Sequence, residues 1–221
     1  MIFQYKEFEF VIDFCNNSVN TLIVENKKEF RNLIFELINN LDSDEGNIIL
    51  SENNEILTPI DKLFVFNNYF EFDINKIVLT KYYKMLKSES ERLFFQETLE
   101  LKGKIREYLE KITSESFLSL SINEEIDLSH LFKGCNLKFE SNNDILSNVM
   151  EWLKIINEIL GFNTFILISL RNILDKEELE NLFKFIEYNE FKVIFIESNE
   201  VEKINGSDKF IIIDNNLCEI Y

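Results

Sequence analysis

The stretch that most restricts the fold runs from residue 162 to residue 197. Residues 164–170 (TFILISL) are a continuous apolar run with no polar face, the pattern of a strand covered on both sides in a parallel sheet. Asp175 and Glu178 then stand at capping-box spacing, and Leu179, Leu182, Phe183 and Ile186 recur at i, i+3, i+4 and i+7. That stripe needs a sheet to cover. Residues 191–197 (FKVIFIE) supply the next strand. A helix of this length between two buried strands predicts a right-handed parallel crossover, and with it an α/β core.

Around this unit the chain reads in order. Phe3, Tyr5, Phe8, Phe10, Ile12 and Phe14 alternate in part before a turn at 16–18, which predicts an edge hairpin. Residues 21–24 (TLIV) form a short buried strand feeding a helix over 27–39, and strands are expected at 47–50 and 62–66. From 74 to about 111, charges are spread between apolar positions such as Ile77, Leu79, Tyr82, Leu86, Leu93, Leu99, Ile105 and Leu109, which reads as long helices. A short helix over 128–133 has Asp127 as cap and Gly134 as stop, ahead of a strand-like 137–140. The apolar face of 145–160 ends at Gly161, where a left-handed terminator belongs, and 210–213 with 217–221 close the chain as a hairpin. The expected organisation is an α/β head of 1–70 and 134–221, built on a mostly parallel sheet, with helices over 71–133 interrupting it.

Charge narrows the function. With 40 Asp and Glu against 23 Lys and Arg the formal charge is −17, so non-specific attraction to nucleic acid or to an anionic membrane is weak, and any DNA contact must be local or metal-assisted. The longest apolar runs are strand-sized, which excludes a membrane span. Cys15, Cys135 and Cys218 lack CxxC spacing and no signal peptide is legible ahead of them, so buried, reduced thiols in a cytoplasm are expected.

Much familiar chemistry is missing. A nucleotide-binding strand-to-helix passage carries glycines so that backbone amides can approach phosphate, whereas here the passages are Glu25-Asn26-Lys27-Lys28-Glu29 and Leu170-Arg171-Asn172-Ile173-Leu174-Asp175. His130 is the only histidine and no GxSxG elbow accompanies it; in a short helix it reads as a surface or cap residue. Glu197 ends an apolar strand, a position that suits orienting water or a metal but where a solvated carboxylate is much commoner, and it is read as solvated. Residues 119–127 (SLSINEEID) gather Asn123, Glu124, Glu125 and Asp127, oxygen donors suited to a hard cation such as Ca²⁺ and equally to helix capping and a solvated face. Lys81, Lys84 and Lys87 share one wide helical face, and Lys102, Lys104 and Arg106 make a second basic island; either suits phosphates or simple solvation of a helix.

The order of elements and several strings, TLIVENKKEF, KLFVFNNYFEFDIN, INEEIDLSHLFKGCNLKFE, TFILISLRNILDKEELENLF and FKVIFIES, resemble the ring-forming adaptation protein of type II-A CRISPR systems, the Csn2-like family. The resemblance extends over nearly the whole chain. It implies an α/β head related to P-loop ATPases without their phosphate loop, a helical leg inserted into it, and a tetrameric ring encircling double-stranded DNA, especially at ends. It further implies Ca²⁺ supporting assembly, carried here by Glu124, Glu125 and Asp127, and no catalytic activity. DNA contact is then expected from Lys81, Lys84, Lys87, Lys102, Lys104 and Arg106, in a cytoplasmic protein that works with the CRISPR integrase and effector proteins. The competing expectation is a scaffold that recruits the integration machinery without touching DNA. A third is an enzyme, an NTPase remnant or a metal nuclease using Glu197 or the Glu124 cluster; the missing glycine loop and paired acids argue against it.

Overall fold

Strands that read as unbroken apolar runs need cover on both faces, and the computed structural model, which describes residues 1–43, 46–123, 125–204 and 208–221, provides it. Strands are β1 (Ile2–Tyr5), β2 (Ile12–Asp13), β3 (Val19–Val24), β4 (Ile48–Glu52), β5 (Glu55–Leu57), β6 (Leu63–Phe66), β7 (Thr164–Ile168), β8 (Lys192–Glu197), β9 (Lys209–Ile213) and β10 (Glu219–Ile220). Helices are α1 (Lys27–Asn39), α2 (Ile74–Leu93), α3 (Phe95–Ser114), α4 (Leu128–Gly134), α5 (Ile145–Leu160) and α6 (Lys176–Tyr188). The chain divides into two compact units, Met1–Phe72 with Asn142–Tyr221, and Asp73–Ser141.

In the first unit the larger sheet runs β10-β9-β3-β8-β7-β6. Every neighbouring pair is parallel except β9 with β10, which close the chain as the expected hairpin. β7 and β8 pair directly, Ile166 opposite Ile194, with α6 between them in the chain. Asp175 and Glu178 complete the capping box of α6, and Leu179, Leu182, Phe183 and Ile186 are buried, the Phe183 ring 5.4 Å from that of Phe195. Each such side chain contributes about 1.5–3 kcal/mol by leaving water. On α5, Val149, Trp152, Leu153 and Ile156 are buried, with the Trp152 ring 4.6 Å from Phe72. Gly161 ends α5 at φ +88, donating to the Ile156 and Asn157 carbonyls, a conformation that any Cβ would strain.

A smaller antiparallel sheet runs β2-β1-β4-β5. β1 and β2 make the expected hairpin with β2 at the edge of the sheet, and β1 is paired on its other side as well, Phe3 lying opposite both Ile12 of β2 and Leu50 of β4. Its inward residues Phe3 and Tyr5 join Phe10, Leu33, Leu37 and Ile196 in one core. The three cysteines are exposed rather than buried, because Cys15 and Cys135 fall in turns and Cys218 in the loop between β9 and β10.

The second unit consists of α2, α3 and α4. The long helical stretch breaks at Phe94 (φ −124, ψ 41), where Thr98 donates its hydroxyl back to the Ser90 carbonyl. Residues 137–140 are not a strand. Their backbone is held by the Asn75 side chain, which accepts from the Phe139 amide at 2.8 Å and donates to the Phe139 carbonyl at 3.2 Å, doing with one amide group what a neighbouring strand would do. Gly134 is the last residue of α4 rather than its left-handed stop; that conformation falls to Asn136 at φ 53. Among the described residues no helix is long and apolar enough to cross a membrane.

Candidate nucleic-acid interface

The first place to look for phosphate binding is the passage from β3 to α1. There Asn26 caps the helix, and its Oδ1 accepts from the amides of Lys28 and Glu29, both at 3.1 Å. Glu29 is buried behind them and accepts from the Tyr5 hydroxyl at 3.1 Å; burial, with Glu29 adding to it, pushes Tyr5 ionisation well up. The amides that a phosphate would need already have an acceptor, and a carboxylate backs them.

After β7 the second passage does something that the sequence did not announce. Glu197 is fully buried, accepting from the Arg171 amide at 2.9 Å and the Asn172 side chain at 2.6 Å, so the solvated-carboxylate expectation fails. Burial raises its pKa to about 7, against the opposing pull of the Arg171 amide and charge. The Arg171 guanidinium lies among the rings of Phe183, Phe195 and Phe210 at 5.5, 5.7 and 5.2 Å. It donates to Asp208 at 2.7 Å, to the Thr21 hydroxyl at 2.6 Å and to the Glu202 carbonyl at 2.6 Å. Arg171 was visible only as a cation leaving an apolar strand, while Asp208 and Thr21 gave no signal.

The basic residues read from sequence lie on the helical unit. Lys81 and Lys84 are exposed on α2, whereas Lys87 is partly covered, its ammonium 3.4 Å from Asp127 and 3.9 Å from Glu125. Asp127 also caps α4 by accepting from the Ser129 amide at 2.9 Å; that bond first, and Lys87 after it, hold its carboxyl below the usual range. Glu124 lies outside the described residues, and among those described no three acids, histidines or cysteines converge as metal ligands. On α3, Lys102 pairs with Glu91 at 3.0 Å, while Lys104 and Arg106 stay exposed. Between α2 and α4 opens a cleft of about 720 Å³ that brings Lys84 and Lys87 together with His130, Lys133, Tyr83 and Asp127. Lys133 was missed by sequence reading, although its place three residues after His130 on a short helix was the available signal. Large apolar side chains stand exposed nearby in the sequence: Phe95, Leu99, Tyr108, Ile112 and Phe117.

Comparison with known proteins joins these features to a family. The crystal structure of Stu0660 of Streptococcus thermophilus has a similar fold, with a TM-score of 0.59 over 97% of this chain and 75% of that one, at 11% identity. No curated protein matches the chain by sequence. The family model described as CRISPR-associated protein (Cas_Csn2) matches residues 40–217, a span that includes the whole helical unit and most of the sheet-bearing one. The chain therefore belongs to the CRISPR-associated protein (Cas_Csn2) family.

Proposed function

We propose that this chain is a non-catalytic subunit of CRISPR spacer acquisition that binds double-stranded DNA, at ends, as a homotetrameric ring. The family match over residues 40–217 carries the reading. The sheet-bearing unit is a relative of P-loop ATPases that has lost the phosphate loop, and Asp73–Ser141 is the inserted leg. Support for the first comes from the parallel strands and from Asn26, which occupies the amides at the start of α1.

Local charge supports DNA binding. The chain carries −17 overall, yet Lys81, Lys84, Lys87, Lys102, Lys104 and Arg106 sit on two adjoining helices. A ring lined by such residues attracts phosphates inside while its exterior repels them, which favours threading onto an end over adhesion to any duplex surface. The exposed Phe95, Leu99, Tyr108 and Ile112 of α3 suit burial between subunits. Ca²⁺ bound through Glu124, Glu125 and Asp127 supports that assembly, and the protein works in the cytoplasm with the integrase and effector proteins. Sedimentation and duplex binding measured on the same samples, with and without Ca²⁺, test the reading; a monomer with no duplex affinity in both conditions refutes it.

A second reading, a scaffold that recruits the integration machinery without touching DNA, draws on one observation. Lys87 and Lys102 spend their charge on Asp127, Glu125 and Glu91 of the same chain, which lessens what they offer to phosphate. The same binding measurement separates the two readings.

A further inference from the structure

The cleft between α2 and α4 combines an apolar floor with several cations. Its volume of about 720 Å³ falls within the range of about 300–1,000 Å³ typical of small-molecule sites, far too narrow for a duplex. Thr80, Lys84 and Lys87 recur at i, i+4 and i+7 along α2, and Ser129 and Lys133 at i and i+4 along α4 face them across the opening. Tyr83 forms part of the floor; it is buried and fixed by donating its hydroxyl to the Leu137 carbonyl. Among the described residues only one carboxylate lines the cleft, that of Asp127, which the Ser129 amide and Lys87 already occupy. Lys84 and Lys133 have no ion-pair partner among the described residues. In a chain of charge −17 two lysines with no ion-pair partner among the described residues, one from α2 and one from α4, line one pocket together with the hydroxyl-bearing Thr80 and Ser129, a set suited to a compact anion.

We propose that this cleft binds a terminal phosphomonoester carried on a small organic group, the phosphate held by Lys84 and Lys133 and the organic part lying over Leu79 and Tyr83. Two sources present that chemistry: a free nucleoside monophosphate, and the 5′-phosphate of a DNA end. The second source rests on the duplex-end reading; the first does not.

His130 makes the test direct. It is the only histidine of the chain, lines the cleft and is exposed, so its two imidazole C–H resonances report this site alone. Full-length protein is titrated with AMP, with adenosine and with inorganic phosphate. AMP is expected to shift both resonances saturably, phosphate to shift them more weakly and adenosine not to shift them. In Lys84→Gln/Lys133→Gln the AMP affinity falls about tenfold or more, since two charge-assisted contacts are gone, while Lys84→Arg/Lys133→Arg retains it. Absence of a saturable AMP shift, or equal shifts from AMP and adenosine, overturns the proposal. Linear duplexes with 5′-phosphate and 5′-hydroxyl ends then identify the source. A His130 shift restricted to the phosphorylated duplex assigns the cleft to DNA ends. AMP binding with identical behaviour of the two duplexes assigns it to a free nucleotide, and AMP binding with no duplex affinity of any kind removes the DNA reading while leaving the cleft site in place.

Discussion

Arg171 and Asp208 form an ion pair at 2.7 Å with both side chains fully buried, and three phenylalanine rings surround the cation. Desolvating both charges is costly; Thr21 bridges the pair and the Glu202 carbonyl accepts from Nη2, while Nε is buried with no hydrogen-bond partner among the described residues. Removing one partner leaves the other charged in an apolar layer. Arg171→Met and Asp208→Leu are each expected to lower stability by about 3–5 kcal/mol in urea unfolding. The double variant Arg171→Met/Asp208→Leu is expected to lose less than the sum of the two, a non-additivity that identifies the pair as one unit.

Glu197 imposes a pH dependence whose sign is fixed. Its carboxyl titrates near 4.5 when free and at about 7 in the folded protein, so between those values the folded state keeps a proton that the unfolded state releases. The stability that it contributes is whole below 4.5 and is lost as pH rises through 7, by at most about 3 kcal/mol. Glu197→Gln keeps an acceptor for the Arg171 amide but cannot ionise. Unfolding midpoints at about pH 5 and about pH 8 are expected to show the variant gaining on the parent as pH rises. A constant difference between the two proteins contradicts this.

On the helical unit, Lys81 and Lys84 have no acidic partner among the described residues while Lys87 is held by Asp127 and Glu125. Neutralising Lys81 and Lys84 is expected to weaken duplex binding and to lower the slope of log affinity against log salt by roughly 0.9 per contact. Lys87→Gln is expected to change that slope less. Folding survives at Lys81 and Lys84, because exposed lysines on a helix contribute little to stability, and at Lys87, whose ion pairs are to partly or fully exposed carboxylates.

Glu124, Glu125 and Asp127 are expected to separate assembly from contact. Replacing Glu124, Glu125 and Asp127 with amides raises the Ca²⁺ concentration needed for tetramer formation, and DNA affinity falls only as far as closed rings become scarce. Sedimentation across a Ca²⁺ titration measures the first effect. An unchanged Ca²⁺ requirement leaves Asp127 to capping α4 and, with Glu125, to pairing Lys87.

The elements read most accurately from sequence are those whose signals are local. The apolar runs of β7 and β8, the Asp175–Glu178 box and Gly161 carry their own instructions, and each appears where its residues place it. Features that depend on distant partners were not legible. β1 pairs on both sides because β4, more than forty residues on, reaches it. Residues 137–140 alternate like a strand yet bond to the side chain of Asn75, a partner that no periodicity reveals. Glu197 was read as solvated because its cover comes from the loop after β7, and the cysteines as buried because type alone was weighed against the turns that carry them. On the helical unit, residue type gave the basic islands, but which lysines are spent on acids needed the packing of α2 with α4 and of α2 with α3.

End-threading is tested most directly by comparing the affinity of the Ca²⁺-treated protein for one duplex sequence in linear and in covalently closed circular form, at a single salt concentration. A ring that admits DNA only at its ends is expected to bind the linear form and to leave the circle free, with linear binding lost when the lysines of α2 are neutralised. Equal binding to the two forms contradicts threading.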